Sequence, residues 1–268
     1  MLECVVNVSE GRDLGVVRQI ARAAGHCLLD VHSDADHNRS VLTLAGATLP
    51  DVTRAVAAET VRLLDLGTHP GAHPRIGALD VVPFVPLDGS SMAGALAARD
   101  RFARWAATEL ALPCFLYGPE RSLPEVRRGA FTTLAPDHGP GAPHPTAGAC
   151  AVGARPVLVA YNVWLAAGDT AAAAGVARAL RGPAVRALAV AVGAHAQVSL
   201  NLLDPLTYGP AQAYDDVAGR AEVARAEVVG LVPAAVLAAV PSGRWPQLDL
   251  DPSRTIEARL QAAAAEEL

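Results

Sequence analysis

One order of apolar runs occurs twice along this chain, and a stretch rich in glycine and proline separates the two copies. Leu2 to Val8 is a continuous apolar run of strand length. A helix follows from near Asp13, with Val17, Ile20, Ala21 and Ala24 on one stripe. His26 to Val31 and Arg39 to Ala45 read as strands around a polar turn at residues 32–37. Thr48, Pro50 and Asp51 mark a helix start, expected to form a pair like a capping box and to run to about Leu66. A strand from about Ala78 to Val85 closes the first copy. The order β-α-β-β-α-β is the ferredoxin-like one. A helix from Met92 to about Leu110 and a strand from Cys114 to Tyr117 extend it.

From Arg128 to Ala154 the periodicity is lost, and a loop of that length is a linker or a functional segment. Strands at Pro156–Leu165, Ala187–Val192, Gln197–Leu203 and Val228–Leu231, with helices at Thr170–Leu180 and Gln212–Ala224, then repeat the order. Helices are expected in the tail at Pro233–Val240 and Arg254–Ala264. The expected fold is α/β (α+β): two ferredoxin-like βαββαβ subdomains, residues 1–153 and 154–268, packed with a groove between them. A single larger α/β sheet is the competing arrangement.

Composition narrows the chemistry. All 22 basic residues are arginine. The absence of lysine excludes Schiff-base catalysis, lysine-anchored pyridoxal phosphate and the phosphate-binding lysine of P-loops and protein kinases. A net charge of −5 without a basic block argues against nucleic acid as a partner. No apolar run reaches 18 residues, so no membrane span is expected. The N-terminus has no basic segment ahead of its apolar run, which makes the cytoplasm the expected compartment. Cys4, Cys27, Cys114 and Cys150 are far apart and read as free thiols.

Four stretches carry candidate chemistry. In THPGAHPR, His69 and His73 each precede proline, which places both on extended backbone. An imidazole there can move protons near neutral pH. HSDADHNR (His32 to Arg39) gathers two histidines and two aspartates, as a solvated turn or as a metal or substrate site. VSEGRD (Val8 to Asp13) is a strand-to-helix junction, read as plain capping by Ser9 or as an anion site. GPGAPHPTAG (Gly139 to Gly148) is a spacer or a preformed ligand wall.

In order along the chain, ECVVNVSEGR, LLDVHSDADHNRSVLTLAG, HPRIGALDVVPFVP, CFLYG, PDHGPGAPHPTAGACAVGAR, QVSLNLLD and VVGLVP resemble the formiminotransferase family, to about residue 240. The family occurs alone or as the N-terminal part of formiminotransferase-cyclodeaminase. The resemblance implies transfer of a formimino group from N-formimino-L-glutamate to N5 of tetrahydrofolate, a step of histidine degradation and one-carbon metabolism. Formyl is an open alternative for the group. It implies tetrahydrofolate as co-substrate and no metal. It makes His73 the catalytic acid–base and places the folate-binding stretch at His138, Gly139, Pro140, Gly141, Ala142, Pro143, His144, Pro145, Thr146 and Ala147. His32 stands where animal members have aspartate. His138, Pro143 and Ala147 stand where they have aromatic rings.

In the mechanism so implied, N5 attacks the amidine carbon and one histidine accepts and then returns the proton. Arg75 or Arg39 clamps a glutamate carboxylate, and Asp34 or Asp36 faces the cationic amidine. Asn38 and His32 complete the expected substrate contacts. With Leu268 as the last residue, the product is expected to pass to a separate cyclodeaminase; a homodimer is left open. Two other classes stay open: a metal-dependent hydrolase using His32, His37, His69 and His73, and a non-catalytic small-molecule-binding module.

Overall fold

Buried on both faces, the opening strand β1 (Leu2–Val8) reads as a near-continuous apolar run. The computed structural model describes residues 1–69 and 75–266, in two compact units, Met1–Pro156 and Val157–Leu268. The fold is mixed α/β with two sheets and, among the described residues, eight α-helices.

In the first unit β1 is followed by α1 (Leu14–Arg22), β2 (Leu28–Asp34), β3 (Arg39–Ala45), α2 (Leu49–Leu63) and β4 (Leu79–Pro86). Then come α3 (Met92–Glu109), β5 (Cys114–Tyr117), α4 (Leu123–Gly129) and β6 (Cys150–Ala154). The sheet order is β2-β3-β1-β4-β6-β5. The first three pairings are antiparallel, while β6 runs parallel to both β4 and β5. Cys4, Val6 and Val8 of β1 join Leu42 and Leu44 of β3 and Phe84 of β4 in the core beneath α1, α2 and α3. Burying a side chain the size of Phe84 contributes about 1.5–3 kcal/mol. The opposite face of β4, β5 and β6 packs Val81, Phe115, Tyr117 and Ala151 with Val126 of α4.

This unit departs from the expected four strands plus one. β6 lies inside the segment whose periodicity is lost, and it is built of small residues. Gly153 is required there, because a Cβ would stand 2.1 Å from the Tyr117 ring. A strand of small side chains gives no alternation signal, although both its faces are buried. The helix α4 was also unexpected. Its start carries a full capping box between Ser122 and Glu125, with proline in the first turn. RSLPEVRRG holds that signal.

Two expected caps are corrected. Asp13, not Ser9, caps α1 by accepting the N–H groups of Gly15 and Val16. Thr48 occupies the N-cap of α2 but makes no capping bond; its hydroxyl lies 3.3 Å from Cys27 Sγ. The expected turn at residues 32–37 is shorter, because β2 continues to Asp34.

The second unit contains β7 (Val159–Leu165), α5 (Thr170–Leu180), β8 (Val185–Val192), β9 (His195–Leu202), α6 (Pro210–Ala218) and β10 (Val223–Val229). Its order is β10-β7-β9-β8, all antiparallel. Asp169 caps α5, whose small stripe of Ala173, Val176 and Ala177 lies in the unit's core with Tyr161 and Leu200. The last strand begins five residues before the expected Val228, and α6 ends six before Ala224. Short helices α7 (Ala234–Ala238) and α8 (Ile256–Glu266) follow. No described helix is long and apolar enough to cross a membrane.

Candidate active site

The β2–β3 hairpin is the frame of the site. His32, Ser33 and Asp34 lie directly opposite Val41, Ser40 and Arg39. Asp34 closes the loop by accepting the N–H groups of Asp36 and His37, both at 2.8 Å. The buried His37 has Nδ1 3.5 Å from Asp34 Oδ2. Asn38 adopts a left-handed φ of 47°, which asparagine tolerates. Its side-chain oxygen accepts the N–H of Gly11 at 2.9 Å. Ser40 Oγ donates to Glu10 O at 2.6 Å, so the β1–α1 turn is seated on the hairpin. Gly11 allows this approach, since a Cβ would lie 2.3 Å from Asp34 O. Ser9 serves the same junction: its hydroxyl donates to Gly77 O at 2.8 Å.

Arg75 ties this frame to the chain entering β4. Its Nη2 donates to His37 O at 2.8 Å and its Nη1 to Asn38 O at 3.1 Å. Nη1 also lies 3.0 Å from the ring nitrogens of His69. An arginine N–H can donate only to an unprotonated ring nitrogen. Burial, and after it the charge of Arg75, lowers the His69 pKa below the usual imidazole value. The unfolded chain therefore binds a proton more readily than the folded one. That contribution to stability is complete above the ordinary pKa of about 6.5 and is lost as pH falls through the lowered folded value. Melting temperatures measured from pH 8 to 5 should fall less steeply for His69→Gln than for the parent. Parallel curves would remove His69 from the linkage.

Asp80, 1% exposed, is the acidic centre of the site. Its Oδ1 accepts the N–H of Ile76 at 2.8 Å, and its Oδ2 accepts Arg127 Nη2 from α4 at 2.6 Å. Arg39 lies within the field of Asp80, Arg127, Arg75 and Asp34. Removal from water pushes its pKa down to about 10, which leaves it charged at neutral pH. Arg127 and Asp80 were absent from the expected site residues, and an ion pair 47 residues apart has no local signal.

The loop from His138 to Ala147 is anchored at both ends. His138 pairs with Cys114 at the start of β5 through N–H to O at 3.2 Å and O to N–H at 2.9 Å. Thr146 O accepts the N–H of Leu66, and Ala147 O accepts that of Ala78, at 2.8 and 2.9 Å. The His144 ring Nδ1 accepts the N–H of Ala147 at 3.0 Å. Ala147 is fully buried in the core beneath α1–α3, whereas Gly139, Pro140, Gly141, Ala142, Pro143 and Pro145 are exposed. The loop is thus bonded to the segments that flank residues 70–74. His73, the expected acid–base, lies outside the described residues. Among the described residues, no three His, Cys, Asp or Glu side chains gather where they could hold a metal ion.

Arginines, histidines and carboxylates brought together on a rigid sheet suit an enzyme that handles small anionic substrates. Comparison with known proteins defines which enzymes are similar. The formiminotransferase domain, N-terminal subdomain, matches residues 1–155. A glutamate formimidoyltransferase of Streptococcus pyogenes serotype M1 is 34% identical, over 88% of this chain and 90% of its own length. One from Thermoplasma acidophilum is 32% identical over 98% of both chains. The formimidoyltransferase-cyclodeaminase of Sus scrofa is 39% identical over 61% of this chain, which spans 34% of that longer protein. The chain belongs to the formiminotransferase family, whose named relatives are transferases.

Proposed function

We propose that this protein is a glutamate formimidoyltransferase that moves a formimino group from N-formimino-L-glutamate to N5 of tetrahydrofolate. The observation that carries the reading is the match to a relative of that name over 90% of the relative's length. The strand orders β2-β3-β1-β4 and β10-β7-β9-β8 support a ferredoxin-like arrangement at the heart of each unit. The subdomain limits near residues 153 and 154 and a substrate groove belong to the same reading.

The chemistry follows from the donor. N5 attacks the amidine carbon and a tetrahedral intermediate forms. The C–N bond to glutamate then breaks, and glutamate leaves as an amine. In this proposal His73 takes the proton from N5 and returns it to the leaving nitrogen. Arg39, opposite Asp34 in the β2–β3 hairpin, is the guanidinium assigned to the substrate carboxylate in this reading. His32 and Asp34, two apart on β2, share one face of the sheet and would face the donor.

The test is an assay with formimino and formyl donors, with and without tetrahydrofolate. Glutamate release is expected only when folate is present, and it should be unchanged after dialysis against a chelator. Folate-independent hydrolysis that disappears with stoichiometric zinc would favour a metal-dependent hydrolase instead. Binding without any turnover would leave a ligand-binding module.

The exposed part of the loop gives a separate prediction. Deleting Gly141 to Pro143 spares the bonds at His138, Thr146 and Ala147. It should weaken tetrahydrofolate binding by about three- to a hundred-fold, the range of one or two lost hydrogen bonds from the loop backbone. Calorimetric titration that shows equal affinity would take the loop tip out of the folate site.

A further inference from the structure

We propose that His144 is a positioning residue: its ring clasps the turn 144–148 shut and so seats residues 146–149 against the chain on either side of residues 69–75. Within that turn every backbone N–H has its acceptor. His144 N–H donates to Gly148 O at 2.7 Å, and Gly148 N–H donates to His144 O at 3.0 Å. Pro145 has no N–H to place. The two that remain, of Thr146 and Ala147, both donate to His144 Nδ1, at 3.3 and 3.0 Å. Ala147 is fully buried, so its N–H cannot turn to water and needs this acceptor. A backbone N–H only donates, so Nδ1 keeps its lone pair and the ring proton sits on Nε2.

Backbone bonds couple the clasp to the candidate site. Thr146 O accepts the N–H of Leu66 at 2.8 Å, and Ala147 O accepts that of Ala78 at 2.9 Å. Ala149 N–H donates to Ile76 O at 2.9 Å. Leu66 precedes the stretch that carries His69, His73 and Arg75, and Ile76 and Ala78 follow it. The approach leaves no slack. A Cβ on Gly148 would stand 2.4 Å from Ile76 O, and one on Gly77 would stand 1.8 Å from Ala149 O. Ile76 also donates its N–H to Asp80, and Gly77 O accepts the Ser9 hydroxyl. Opening the turn would therefore disturb a register that the entry to β4 shares with Ser9 and Asp80. A misplacement of about 1 Å far from the chemistry can cost about a hundred-fold in rate. The inference rests on the transferase reading for its turnover assay only; the hydrogen bonds are tested without it.

The experiment compares the whole chain with His144→Asn, His144→Gln and His144→Leu. Asparagine carries an acceptor oxygen on Cγ, where Nδ1 stands, and can close the same turn. Glutamine places its amide one atom further, at the ε position, and loses that acceptor. Hydrogen exchange read by NMR should find the amides of Leu66, Ala78 and Ala147 protected in the parent and in His144→Asn. In His144→Gln and His144→Leu they should exchange about ten-fold faster or more. Nitrogen NMR of labelled histidine should find Nδ1 unprotonated in the parent. With formiminoglutamate and tetrahydrofolate, His144→Gln should lower kcat by about ten- to a hundred-fold, with the donor KM within a few-fold. His144→Asn should recover most of that loss. The reverse order, with His144→Gln near the parent and His144→Asn impaired, would make Nε2 a ligand contact and overturn the proposal. Equal turnover and exchange in all variants would overturn it too. So would a parent whose Nδ1 carries the proton or whose Ala147 amide exchanges as an open loop does, a result independent of how any variant folds. A parent that turns over no donor would retire the transferase reading, and exchange at Leu66 and Ala78 would still decide the clasp.

Discussion

Asp80→Ala is expected to destabilise the protein by about 3–5 kcal/mol, the cost of removing one partner from a buried ion pair. Stabilities of whole domains are only about 5–15 kcal/mol, so the change is a large share of the total. The carboxylate is 1% exposed and accepts two hydrogen bonds, one from the backbone of Ile76 and one from Arg127. Alanine leaves the Ile76 N–H without this acceptor and the Arg127 guanidinium without this carboxylate. Asp80→Asn keeps an acceptor for Ile76 and loses only the charge, so it should cost less. Denaturant unfolding of Asp80→Ala, Arg127→Ala and the double variant gives the coupling. Single losses below about 1 kcal/mol, or strict additivity, would show that the pair holds nothing together.

His73→Ala is expected to lower turnover by about 10²–10⁴-fold, the usual range for general acid–base help. The sequence places Pro74 after it, which disfavours a helical backbone at this position, so truncation is expected to leave the fold intact. Circular dichroism and the melting temperature should therefore stay close to the parent. The pH–rate profile should lose the limb that belongs to the imidazole. His69 is the competing histidine, four residues earlier and within 3.0 Å of Arg75. If His73→Ala turns over normally while His69→Gln does not, the acid–base role passes to His69.

Much of the frame was legible in the residues. The apolar run of β1, the run of β4 and the stripe of α5 each report burial directly, because a strand or helix exposes its environment through its period. The ordered motifs resembled the family that the comparisons then established. The absence of lysine excluded whole mechanisms with no structure at all.

Tertiary structure decided the rest. β6 was hidden because Cys150, Ala151, Val152, Gly153 and Ala154 carry no polar alternation. Its place is set by the Tyr117 ring of its neighbour and by pairing with both β4 and β5. The sequence offered Arg75 or Arg39 as a carboxylate clamp and could not show that the Arg75 guanidinium bonds His37 O, Asn38 O and His69. Asn38 was expected at the ligand, and its side chain holds Gly11. Asp80 and Arg127 meet only because the fold brings α4 to the start of β4. Periodicity records how much of a residue is buried and on which local backbone. Which donor meets which acceptor is settled by pairing across the sheet, and that information is spread over residues tens of positions apart.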